Sequence, residues 1–88
     1  MNDIKNLKVT CNQIASCLPG TKFVETRNGG YFVKGNRKLG AVVSPSSDVS
    51  SVKINKWKDG FGLNVNPKQT MDYISIKKSV KRGLGIKD

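Results

Sequence analysis

The sequence predicts an α+β domain in which an antiparallel sheet of about five strands is bracketed by an N-terminal and a C-terminal helix. Three observations carry this: apolar residues at helical spacing near the start, an Asn-Gly turn between two β-rich runs, and an alternating segment over 52–65 that reads as a second hairpin. At 88 residues the chain has room for one hydrophobic core, so a single small basic module is expected, as a monomer or small homo-oligomer.

The first helix rests on Ile4, Leu7, Cys11, Ile14 and Leu18, whose spacings of three and four place them on one stripe, with Asn2 or Asp3 available to cap the first turn. Both cysteines, Cys11 and Cys17, fit within or beside that stripe as small packing residues. Their separation of six matches neither a redox pair nor a zinc-ligand spacing, and a reduced compartment is expected. Pro19 and Gly20 end the helix, because Pro cannot donate to the ladder and Gly accepts a left-handed backbone.

Lys22 to Arg27 and Tyr31 to Lys34 then read as two strands of a hairpin around Asn28-Gly29. With that pair central, Val24, Thr26, Tyr31 and Val33 share one face, and Phe23, Glu25, Arg27, Phe32 and Lys34 share the other. A slip in the turn would change the partners, which leaves open whether Tyr31 or Phe32 is buried. Gly35-Asn36 makes the next turn, and Arg37 to Val43 a third strand whose basic start should cluster with Lys34 at one end of the sheet. Residues 44–51 (S-P-S-S-D-V-S-S) are a polar loop and the segment expected to be most mobile.

In the second hairpin Val52, Ile54, Phe61, Leu63 and Val65 form the expected buried side. Lys53, Asn55 and Trp57 fall on the other, with Lys56 and Lys58 close by, so the single tryptophan is expected among lysines and outside the core. Asn66-Pro67-Lys68-Gln69 carries a helix start signature, predicting a helix from Pro67 to Arg82 that Gly83 stops. Tyr73, Ile76, Val80 and Leu84 line its apolar face, and Lys68, Lys78, Lys81 and Arg82 the opposite one, with Lys77 at the border. Met71 and Ile74 fall on the basic side, where packing against the first helix or a second subunit would cover them. The alternation M-D-Y-I-S-I also suits a strand, leaving Met71 to Ile76 open between the two.

Charge narrows the function. Sixteen Lys and Arg against six Asp and Glu give +10 and a pI near 10.0. A polyanionic partner is the simplest reason to carry such self-repulsion, although a merely solvated basic surface remains the plain alternative. The cations are almost all lysine, with Arg27, Arg37 and Arg82 the exceptions, which favours phosphate contact over bidentate reading of base edges.

Catalysis has little to stand on: there is no histidine, and the carboxylates are spread singly along the chain, so neither an enzyme nor a metal or cofactor site is expected. No apolar run is long enough for a membrane span and the N-terminus lacks the uninterrupted apolar core of a signal peptide, which predicts a soluble cytoplasmic protein, encoded by a cell or by a phage or mobile element.

The order helix, F-V-E-T-R-N-G-G-Y-F-V-K, a strand ending V-V-S-P and a closing S-V-K-R-G-L-G-I resembles, over about half the chain, the HicA-type toxins. These are small α+β proteins with a double-stranded-RNA-binding-like fold that cleave messenger RNA. The resemblance implies RNA binding without cleavage, because the family's histidine would fall near Gly30 or Tyr31 and this chain has none.

The leading expectation is a non-catalytic domain that binds DNA or RNA. Trp57 and either Tyr31 or Phe32 would stack on bases, while Lys34, Arg37, Lys38, Lys53, Lys56, Lys58, Lys77, Lys78, Lys81 and Arg82 would meet phosphates, gathered on one flank of the molecule. The alternatives are a small inhibitor or adaptor that binds an acidic surface of another protein, with Trp57 as its hot spot, and a structural subunit that orders only within an assembly.

Overall fold

Helix α1 (Asp3–Cys17) opens the chain, and its stripe is the expected one: Leu7, Cys11, Ile14 and, just beyond the helix, Leu18 are buried, while Ile4 is only half-buried. The computed structural model describes residues 3–43, 53–57 and 60–86, with the side chains of 53–57 and 60 left aside. The serine-rich loop, Val52 and Lys58 lie outside the described residues, as do the side-chain placements expected for Lys53, Ile54, Asn55, Lys56 and Trp57.

After the turn at Gly20, whose φ is +75°, come β1 (Thr21–Thr26), β2 (Gly29–Lys34) and β3 (Arg37–Val43), then β4 (Lys53–Trp57), β5 (Gly60–Val65), a 3₁₀ turn (Pro67–Gln69) and α2 (Tyr73–Leu84). The strands form one sheet in the order β1-β2-β3-β5-β4. This is an α+β architecture, but the sheet is mixed and not antiparallel throughout, because β5 runs parallel to β3. Chemistry accounts for the choice. The second arm of the 53–65 hairpin carries Leu63 and Val65, both fully buried, and takes the inner position. The lysine-bearing first arm takes the edge, where charge discourages further pairing.

The first hairpin is shifted from the expected register. Thr26 pairs with Gly29, so Arg27 and Asn28 form the turn and Gly29, with φ +147°, begins β2. Among the described residues no non-glycine has positive φ, so the type I′ turn centred on Asn28-Gly29 does not form. Core packing outweighs the turn preference, since the observed register sets Phe23 opposite Phe32, with ring centroids 4.8 Å apart. The division of faces survives, because the pairing moves by two residues and keeps its parity.

Both helices lie on one face of this sheet. α1 packs on β1, β2 and β3, and α2 on β3, β4 and β5, closing a core of α1 residues, Phe32, Leu39, Ala41, Leu63, Val65, Ile76, Val80 and Leu84. The expected single helix from Pro67 is in fact two elements. Asn66 caps only the 3₁₀ turn, its Oδ1 accepting the Lys68 N–H at 2.9 Å. The Thr70 carbonyl then accepts from Thr10 Oγ1 at 2.8 Å, a buried link to α1. α2 starts afresh at Asp72, whose side chain accepts the Ser75 N–H at 3.2 Å. Tyr73 onward is helix, so the strand alternative is not taken.

Nor does Gly83 stop α2. A β-carbon there would lie 2.7 Å from a Leu39 methyl, so this glycine lets the helix settle onto β3. The stop is Gly85, at φ +71°, with Gly85 N–H donating to Arg82 O and Ile86 N–H to Lys81 O, a Schellman closure.

Candidate nucleic-acid interface

Among the described residues no helix covers the other face of the sheet. Strand alternation and cross-strand register place Lys22, Val24, Thr26, Tyr31, Val33, Lys38, Gly40 and Val42 on it. Tyr31 is half-buried, and Lys38 lays its ammonium over the ring at 4.1 Å from the centroid, a cation–π contact. Gly40 stands in register with Tyr31 on one side and Gly62 on the other, so two positions without side chains adjoin beside the ring. They help to leave an open hollow of about 200 Å³ lined by Thr26, Gly30, Tyr31, Lys38, Gly40, Val42 and Phe61.

Phe61 is exposed against expectation. Alternation and its pairing with Leu39 keep it on the helix side with Leu63 and Val65, yet it is 55% exposed, and it borders the hollow. The sequence held one signal for this: Phe61 stands between Gly60 and Gly62, neighbours with no side chains to bury it.

The remaining candidates divide between places. Phe32 is fully buried against Phe23 and has no face to offer a base, so of the two alternatives Tyr31 is the available ring. Lys34 and Arg37 are register partners, as the expected cluster required, but alternation puts both on the helix side and Lys38 on the other. The Arg37 guanidinium lies against the end of α2, where a β-carbon on Gly85 would sit 2.7 Å from Nη1, a favourable place for a cation at a helix C-terminus. Lys78 and Arg82 are exposed on the side of α2 opposite its buried stripe, and so face away from the sheet. Lys81 is half-buried on that helix, and Lys77 sits 5.7 Å from the Tyr73 ring. The described cations therefore occupy two surfaces and not the single flank expected of them. For β4, register sets Lys53 opposite Asn64, Lys56 opposite Phe61 and Trp57 opposite Gly60.

Cys17, Met71 and Ile74 depart from expectation, whereas Cys11 packs as expected. Cys11 is buried, and desolvation pushes its thiol from 9.0 up to about 12. Cys17 is exposed and not a packing residue; Tyr73 Oη donates to its Sγ at 3.1 Å, which holds the phenol above its usual range. Met71 and Ile74, 70% and 74% exposed, are not covered by α1.

Among the described residues no cluster of His, Cys, Asp and Glu is suited to a metal, and no helix is long and apolar enough to cross a membrane. No family model, no curated protein sequence and no solved structure matches this chain, so the partial likeness noted from its motifs assigns it to no family.

Proposed function

We propose that this protein is a non-catalytic nucleic-acid-binding domain that uses the helix-free face of its sheet. The observation that carries the reading is Tyr31 with Lys38 across its ring, on the helix-free face of a chain of net charge +10. Aromatic rings stack on bases of any sequence and neighbouring ammonium groups meet phosphates, which is how sequence-tolerant binders divide the work. In this arrangement Tyr31 stacks and Lys22 and Lys38 contact the backbone. Lys53, Lys56 and Trp57 extend the candidate set along β4. Lys77, Lys78, Lys81 and Arg82, on the far side of the molecule, take no part.

The reading is tested by salt titration of oligonucleotide binding. With about four phosphate contacts to a single strand, affinity should fall roughly fiftyfold between about 50 and 200 mM salt. Binding that ignores salt, or no binding at low salt, would exclude it. The exposed Met71, in the turn before α2, with Ile74 and Lys78 on the helix itself, favours a second reading, in which an acidic protein docks on this end of α2. Ile74→Asp would abolish capture of such a partner and leave oligonucleotide binding intact.

A further inference from the structure

We infer that the outer side of α2 is a second docking surface, which takes an acidic protein segment with apolar anchors while the sheet face holds nucleic acid, so that the chain is an adaptor between the two. Met71 and Ile74, 70% and 74% exposed, are the most exposed large apolar side chains among the described residues. They are displayed on a fixed platform. Thr70 is buried and its carbonyl is bound to Thr10 on α1, while Asp72 caps α2 through the Ser75 N–H, so Met71 sits between two anchored neighbours. Ile74 follows in the first turn of α2. Lys78 stands one turn further along the same side, and Arg82 one turn beyond that, both exposed.

Charge selects the occupant. From Tyr73 to Leu84 the helix carries Lys77, Lys78, Lys81 and Arg82 and no carboxylate, and the neighbouring Asp72 is engaged in the cap. An apolar pair continued by cations complements a segment whose own apolar side chains are followed by Asp or Glu. A nucleic-acid backbone supplies the charge but nothing to cover Met71 and Ile74. A second copy supplies apolar surface, but it would bring the cations of two α2 helices together on chains already at +10. Both helices lie on one face of the sheet, and the outer side of α2 points away from Tyr31 and Lys38, so the two partners do not compete for room. The adaptor role rests on the nucleic-acid reading above; the docking surface does not.

The test titrates the full chain into a labelled synthetic peptide of about sixteen residues, with leucines at helical spacing and glutamates along the same side, read by fluorescence anisotropy. One control peptide carries serine for every leucine, and another lysine for every glutamate. The acidic amphipathic peptide should bind in the micromolar range, at least about fivefold tighter than either control. Ile74→Asp should weaken it at least about tenfold and should fold, because the site is exposed and an acidic residue suits the first turn of a helix. Lys78→Glu should weaken it about threefold and improve binding of the lysine peptide. Protein saturated with oligonucleotide should take the acidic peptide as tightly as the free protein does. No binding of the acidic peptide at low salt, an Ile74→Asp protein that binds it like the parent, or a serine control that binds equally would overturn the docking surface. So would a parent dimer in sedimentation that Ile74→Asp breaks, or adsorption to phosphatidylserine vesicles that it abolishes, since either gives the patch another occupant. Displacement of the peptide by oligonucleotide would overturn the adaptor role alone. Failure of every oligonucleotide to bind at low salt would overturn the nucleic-acid reading and leave the peptide results standing.

Discussion

Replacing Lys38 with Gln sets two effects against each other, and their sizes decide the outcome. The substitution removes one phosphate contact, which on a single strand reduces the salt slope by about 0.7. Extrapolated from molar salt, that contact contributes roughly eightfold in affinity at about 50 mM and threefold at about 200 mM. The substitution also removes the ammonium lying 4.1 Å from the Tyr31 ring, which a stacking base must displace. That exposed cation–π contact is worth about 0.5–1 kcal/mol, so its loss returns roughly two- to fivefold in affinity. Lys38→Gln should therefore bind about two- to fourfold more weakly than the parent at low salt and be within about twofold of it at about 200 mM, with curves that cross between about 90 and 300 mM. Anisotropy titrations at four or five salt concentrations read both slope and crossing. Arg82→Gln, on the outer side of α2, is the control and should leave the slope unchanged. A slope lowered by Arg82→Gln and untouched by Lys38→Gln would refute the placement of the interface on the sheet.

The fold makes four further predictions. Phe32→Ala should cost about 3–5 kcal/mol in urea melts, because its ring is fully buried against Phe23, whereas Phe61→Ala, at an exposed ring, should cost less than about 1; equal losses would mean that the two rings are not packed as described. In native protein a thiol reagent should modify Cys17 promptly and reach Cys11 only on unfolding. Because burial raises the Cys11 thiol from 9.0 to about 12, the unfolded chain gives up that proton first, and stability should fall above pH 9.0 by about 1.4 kcal/mol per unit, a limb that Cys11→Ala removes. Thr21 is buried and, among the described residues, its Oγ1 finds no hydrogen-bond partner, so Thr21→Val should raise stability by about 1 kcal/mol in thermal or urea melts.

What was legible in the sequence was local. The spacing of Leu7, Cys11 and Ile14 specifies the buried face of α1, and the alternation from Phe23 to Val33 specifies the faces of the first hairpin. Its register was not legible from Asn28-Gly29, because a local turn preference yields to a ring pair such as Phe23 with Phe32. The parallel pairing of β5 with β3 had no signature either, since G-F-G-L-N-V alternates identically beside β3 or at an edge. Two glycines close together, Gly83 and Gly85, looked like one signal, yet one makes room for Leu39 and the other ends the helix. The site was half visible: Tyr31 and Lys38 were candidates from the sequence, but their meeting across the ring depends on β2–β3 register.

The insertion of β5 between β3 and β4 also bears on how the chain is made. During synthesis β1, β2 and β3 emerge in order and can zip together, but the outer margin of β3 has no mate until residues 60–65 leave the ribosome. In that interval L-G-A-V-V offers open amides and carbonyls to any neighbouring nascent chain, and the charges of Arg37 and Lys38 at its start act as gatekeepers. A fragment ending at residue 59 should accordingly precipitate, and more readily still when Arg37 and Lys38 are both replaced by Thr, as light scattering would register; a fragment that stays monomeric would show that this margin is harmless.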